Sequence, residues 1–150
     1  MLLSSPALVP RISRVERWAA RVGERFTPDL RLPNRLPMDR VSHDPDVVQA
    51  VLHDAEMHDR VTPRLVTFML TAGAAAIADA ARCTVPTLLL VAGRDAFVDP
   101  AGAARFHERL PAGVGTLRVY DGLYHEIFNE RPADRAAVLA DLAAWLQPRL

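Results

Sequence analysis

The chain has no lysine, one cysteine and few aromatic residues, 6% of 150. Each shortage excludes something. Cys83 alone rules out an internal disulfide and fits a reducing compartment. Eighteen arginines balance eighteen acidic residues, so the formal net charge is zero. That is not the basic excess a nucleic-acid binder usually carries. The first ten residues, MLLSSPALVP, have no positively charged n-region, so no signal peptide is expected. The stretch LVTFMLTAGAAAIA reads as too short and too alanine-rich to span a membrane. Repeats and low-complexity segments are missing as well. What remains is half hydrophobic and 24% charged, the composition of one soluble globular domain, expected in the cytoplasm.

The chain changes texture near residue 83. Before it, the sequence is helical and broken by prolines. Residues 10–25 read as a helix with Pro10 in its first turn and an apolar stripe of Ile12, Val15, Trp18, Ala19 and Val22. Pro28, Pro33 and Pro37 then exclude regular structure. Asp44–Pro45 and Thr62–Pro63 each open a helix. The first is expected to bury Val47, Val48, Val51, Leu52 and Ala55. The second, its first half apolar nearly all round, is expected to lie between two layers. After residue 83 the pattern is strand, helix, strand, helix. TLLLVA (87–92) is the continuous apolar run of a parallel strand covered on both faces. TLRVY (116–120) is the next strand. The last helix starts at Pro132 and turns Val138, Leu139, Leu142, Trp145 and Leu146 inward. The class is α/β with a parallel sheet.

If the two strands are parallel neighbours, the loops after them share one sheet edge, where α/β sheets hold ligands. Asp95 lies in the first loop and His125 in the second. A carboxylate beside an imidazole fixes its tautomer and stabilises the imidazolium formed on proton transfer. The residues alone leave two readings: a catalytic pair awaiting a nucleophile, or a turn aspartate and a polar loop histidine. Asp99, just before Pro100, reads as a helix cap.

VPTLLLVAGRDAFVDPAGAARFHERL followed by TLRVYDGLYHEIFNE resembles the C-terminal half of α/β-hydrolases of the monoacylglycerol lipase and lysophospholipase group. In that family an acid follows the strand as G-x-x-D-x-x-V, and a histidine sits in a G-x-x-H-E-type loop. By position these are Asp95 and His125, with Ala92 where the family often has glycine. The resemblance extends backward. MLLSSPAL is similar to the strand after the nucleophile helix, and residues 6–82 to the helical cap and return helix. It therefore implies a partial α/β-hydrolase domain over 1–150: a core strand at 1–5, the cap at 6–82, and the Asp- and His-bearing core at 83–150. Hydrolysis of a monoacylglycerol- or lysophospholipid-like ester is the implied activity, with no metal or organic cofactor.

The family's nucleophile, in G-x-S-x-G, has no match here, nor has its oxyanion hole. Chain order places both upstream of residue 1, so the expectation is a C-terminal half that is inactive alone. Ser4, Ser5, Ser13 and Ser42 read as strand-end, helix-surface and turn residues, and Cys83 as core filler. Phe97, Val98 and Tyr124 flank the pair and are candidates for a substrate pocket or for packing. H-E-I-F-N fails the zinc pattern H-E-x-x-H at Asn129. His43, His53 and His58 read as solvated. The arginine-studded first helix reads as a lid, a plain surface helix or a peripheral lipid contact. A complementary N-terminal half or self-association is the expected partner. A non-catalytic binding module and a functionless truncated product stay open as alternatives.

Overall fold

The computed structural model describes residues 1–149. β1 (Leu2–Ser4) comes first, and α1 (Arg14–Phe26) follows. A two-residue strand, β2 (Leu32–Pro33), leads to α2 (Pro45–His53). Another, β3 (Arg60–Val61), pairs antiparallel with β2 and precedes α3 (Pro63–Asp79). Then β4 (Thr87–Ala92), α4 (Pro100–Arg109), β5 (Gly115–Tyr120) and α5 (Pro132–Leu146) alternate.

β4 is the centre of the fold. It pairs in parallel with β1 on one side and β5 on the other, giving the order β1-β4-β5 among the described residues. All six of its residues are buried. Side chains alternate across a strand, so each face of β4 seeds its own core. Leu88, Leu90 and Ala92 pack with Leu123, Ile127 and Val138, against α5. Leu89 and Val91 pack with Ala80, Ala103 and Phe106, against α3 and α4. A run of apolar residues without alternation is what a strand covered on both faces requires. All three strands run the same way, so the loops after β4 and β5 emerge at one edge.

Between β1 and β4 lie residues 6–82, the stretch that the sequence resemblance reads as a cap, and here the sequence expectations need correction. α1 begins at Arg14, not at Pro10. Residues 9–11 are spent elsewhere: Pro10 bridges Val98, and the Arg11 amide donates to the Phe97 carbonyl. Ser13 then caps the helix in a reciprocal box with Glu16, a signal present in S-R-V-E. The apolar stripe of α1 is largely exposed: Val15 is 74% and Trp18 67% accessible. α3 is not sandwiched either, since Phe68 is 63% accessible. It packs against α1 and α4, with Gly73 so close to the Leu8 carbonyl that a Cβ would stand 2.2 Å from that oxygen. With the turn that follows it, α3 makes a helical run of 20 residues, Pro63–Arg82, long and apolar enough by length and composition to cross a membrane. The helix thus extends beyond the stretch LVTFMLTAGAAAIA at both ends. α2 ends at His53, so Ala55 lies outside it, and Leu52 is exposed. On α5, Val138 is buried and Leu142 and Trp145 pack on the core, but Leu139 and Leu146 face outward.

Candidate active site

The loop after β4 is short and crowded. Gly93 donates its amide to the Tyr120 carbonyl, and a Cβ there would stand 2.5 Å from the Asp121 Cα. Glycine is what allows the two strand ends to meet. Asp95 follows two residues later and is buried, with every acceptor oxygen in use. Its Oδ1 accepts from the amides of Phe97 (2.7 Å) and Val98 (3.0 Å). Its Oδ2 accepts from His125 Nδ1 at 2.7 Å. Asp99 caps α4 through the Ala101 amide, as expected.

A carboxylate offers only lone pairs, so the hydrogen-bond network places the proton of His125 on Nδ1 and leaves Nε2 its lone pair. Among the described residues no group bonds Nε2, and the side chain is 27% accessible. The hydrogen bond to Asp95 raises the pKa of His125. Burial pulls the other way and loses; the charges of Asp95 and Glu126 add to the rise. Chemically this is an imidazole held in one tautomer on a partly accessible side chain, a form that can accept a proton at Nε2.

The other sequence candidates are placed as follows. The Phe97 ring lies 5.0 Å from the His125 ring. Val98 is buried, its amide committed to Asp95. Tyr124 stacks on His43 at 3.7 Å and 18°. Ser5 directly follows β1 on the same sheet edge with a φ of 35°. Its hydroxyl accepts from the buried Ala92 amide, so it is engaged in holding two strands together. Ser13 proves to be the α1 cap, and Ser42 accepts from the Asp44 amide at the start of α2. Cys83 is half-buried, 3.9 Å from the Thr87 hydroxyl.

Two residues that sequence reasoning missed hold the loops. Arg11 Nε donates to the carbonyls of Asp95 (3.0 Å) and Val98 (3.2 Å), tying the cap stem to the acid loop. Glu130 does the same for the histidine loop. It is fully buried, and its carboxylate accepts from the Tyr124 amide (2.7 Å), the His43 amide (2.9 Å) and His43 Nδ1 (2.9 Å). Burial alone pushes its pKa up, but these donors outweigh it and the carboxyl stays below its ordinary range. His43 is thus not a solvated residue, whereas His53 and His58 are exposed. The only available signal was weak: an acidic residue two positions before the helix-opening Pro132.

Comparison with known proteins places the chain in a family. Residues 1–132 match the family model Hydrolase_4, serine aminopeptidase S33. A monoacylglycerol lipase of Mycolicibacterium smegmatis is 32% identical over 153 residues, covering 100% of this chain and 54% of that protein. Phospholipase YtpA of Bacillus subtilis is 29% identical, covering 87% of this chain and 51% of its own length. The crystal structure of a Paleococcus ferrophilus monoacylglycerol lipase superposes with a TM-score of 0.88 at 33% identity, over 97% of this chain and 57% of that one. The chain spans about half the length of the relatives it matches. The fold is that of the α/β-hydrolases, as the sequence resemblance implied.

Proposed function

Since the chain belongs to the serine aminopeptidase S33 family of α/β-hydrolases, we propose that it supplies the acid and the base of a serine hydrolase acting on carboxylic esters. The substrate class is a monoacylglycerol or a lysophospholipid-like ester. One observation carries this reading: His125 Nδ1 bonded to a buried, doubly anchored Asp95 at 2.7 Å, with Nε2 free. The nucleophilic serine and the oxyanion donors come, in this reading, from polypeptide outside these 150 residues, because no G-x-S-x-G occurs within them. That same polypeptide docks along β1.

The chemistry follows from the geometry. Nε2 takes the proton of the serine hydroxyl as its oxygen attacks the acyl carbon. Asp95 stabilises the imidazolium without itself taking the proton. The same proton then passes from Nε2 to the leaving alcohol, and a water activated by Nε2 releases the acid. An apolar cavity of about 440 Å³ in the cap, bounded by Ile12, Trp18, Val22, Leu32, Val61 and Val66, suits an acyl chain. Phe97 forms the wall beside His125 in this reading. Val98 and Tyr124 shape the site from beneath.

The test is intact mass after treatment with a fluorophosphonate probe, which labels activated serines. The chain alone is expected to stay unlabelled. Mixed with a G-x-S-x-G-bearing N-terminal half from a relative, it should restore labelling of that half and hydrolysis of a monoacylglycerol. Both should vanish with His125→Ala. An adduct on this chain alone, mapped to Ser4 or Ser5, would overturn the assignment of the nucleophile. Hydrolysis indifferent to His125→Ala would overturn the role of the base.

A further inference from the structure

We propose that Glu130 is a positioning residue for His125: locked to the cap through His43, its carboxylate fixes the backbone beside His125 where the bond to Asp95 forms. The word positioning rests on the functional reading above, but the geometry does not. The residues on either side of His125 are both tethered by their amides. Tyr124 donates to Glu130 Oε1, and Glu126 donates to the Val41 carbonyl at 2.9 Å. Both tethers lead to the cap segment 41–44, the first through His43 and the second directly. Ser42 donates to the Asn129 carbonyl at 2.8 Å, and Arg131 Nε to the His43 carbonyl at 3.1 Å. His43, Tyr124 and Glu130 close a triangle: the two rings stack, and the His43 ring Nδ1 and the Tyr124 backbone amide share one carboxylate oxygen, Oε1.

A fully buried carboxylate is a poor choice if stability is all that is needed. Desolvating it is costly, and a packed apolar side chain often does as well or better. What a carboxylate gives that an apolar residue cannot is direction: several donors drawn to two fixed oxygens. Here those donors are one amide adjacent to His125 and two groups of the cap. Without Glu130, the Tyr124 amide loses its acceptor and the loop loses its link to His43. His125 then samples orientations in which Nδ1 does not meet Asp95 Oδ2.

The test reads His125 directly in the 150-residue chain, without any substrate. Side-chain nitrogen–proton NMR spectra across a pH series give the pKa of His125 and the far-downfield Nδ1 proton of its bond to Asp95. In Glu130→Gln the His125 pKa is expected to fall toward the ordinary histidine value of about 6.5, with the Nδ1 proton signal broadened or lost. His43→Phe keeps a ring on Tyr124 but removes the ring bond to Glu130, and should shift both readouts in the same direction. Glu126→Gln is the control for charge: it removes a nearby carboxylate and should leave the Nδ1 proton signal in place. A folded Glu130→Gln chain with unchanged His125 titration and an intact signal would overturn the proposal, whatever its melting temperature. Should that variant not fold, His43→Phe decides by the same readouts. Absence of the bonded Nδ1 signal in the unaltered chain would instead sink the Asp95–His125 pair, and with it the functional reading.

Discussion

Two titrating residues in one loop carry opposite pH signatures. The folded pKa of His125 is raised, chiefly by its bond to Asp95. Its stabilisation is therefore full below the ordinary histidine pKa and lost as pH rises through the raised one. For Glu130 the folded pKa is lowered by its donors. Its stabilisation is full above the ordinary glutamate pKa and lost as pH falls through the lowered one. Urea midpoints at a series of pH values should show both slopes. The gap between the native chain and His125→Gln narrows on raising the pH, and the gap to Glu130→Gln narrows on acidification. Asp95 separates charge from hydrogen bonding in a similar way. Asp95→Asn keeps an acceptor for the Phe97 and Val98 amides but loses the charge. It should hold most of the stability while lowering reconstituted turnover on the order of 10³–10⁴-fold. Asp95→Ala strands both amides and should cost about 2–4 kcal/mol in chemical denaturation.

At the scale of the element, the strand–loop junction after β4 is the least forgiving. Gly93→Ala drives a methyl into the Asp121 backbone. A loss of about 1–3 kcal/mol is expected from such overpacking, read by thermal melting, together with a shifted His125 titration. This part of the molecule was legible in the sequence. A short unbroken apolar run between Pro86 and Gly93 reads as a strand buried on both faces, and Asp99–Pro100 and Asp44–Pro45 mark helix starts by local chemistry alone. The cap was less legible. The stripe on α1 was visible as a stripe, but periodicity says which side is apolar, not what covers it. Trp18 and Val15 remain exposed. Pro10 suited a helix start by rule, yet a contact with Val98, distant in sequence, claimed it. Glu130 and Arg11 were invisible for the same reason. Their partners lie in other segments, and nothing in their immediate neighbours announces a bond across the fold.

For the whole molecule, much apolar surface faces outward. Val15, Trp18, Phe26 and Phe68 on the cap are exposed, and so is Leu2 at the outer side of β1. Unpaired strand edges and contiguous apolar patches favour association. Sedimentation velocity should find the chain self-associating with rising concentration, and Leu2→Lys should weaken this. A concentration-independent, cooperatively unfolding monomer would count against that expectation. The ties between cap and core also have a kinematic meaning. Residues 9–11 are fastened to the acid loop, residues 41–44 to the histidine loop, and Ile77 and Ala80 to the sheet face under α3. A rigid body pinned at one point can tumble, and one pinned at two can still swing about the line between them. Each further pin removes more of that freedom. While these ties hold, movement of residues 6–82 against the sheet bends the spans 14–40 and 54–62 between them and does not hinge at the base.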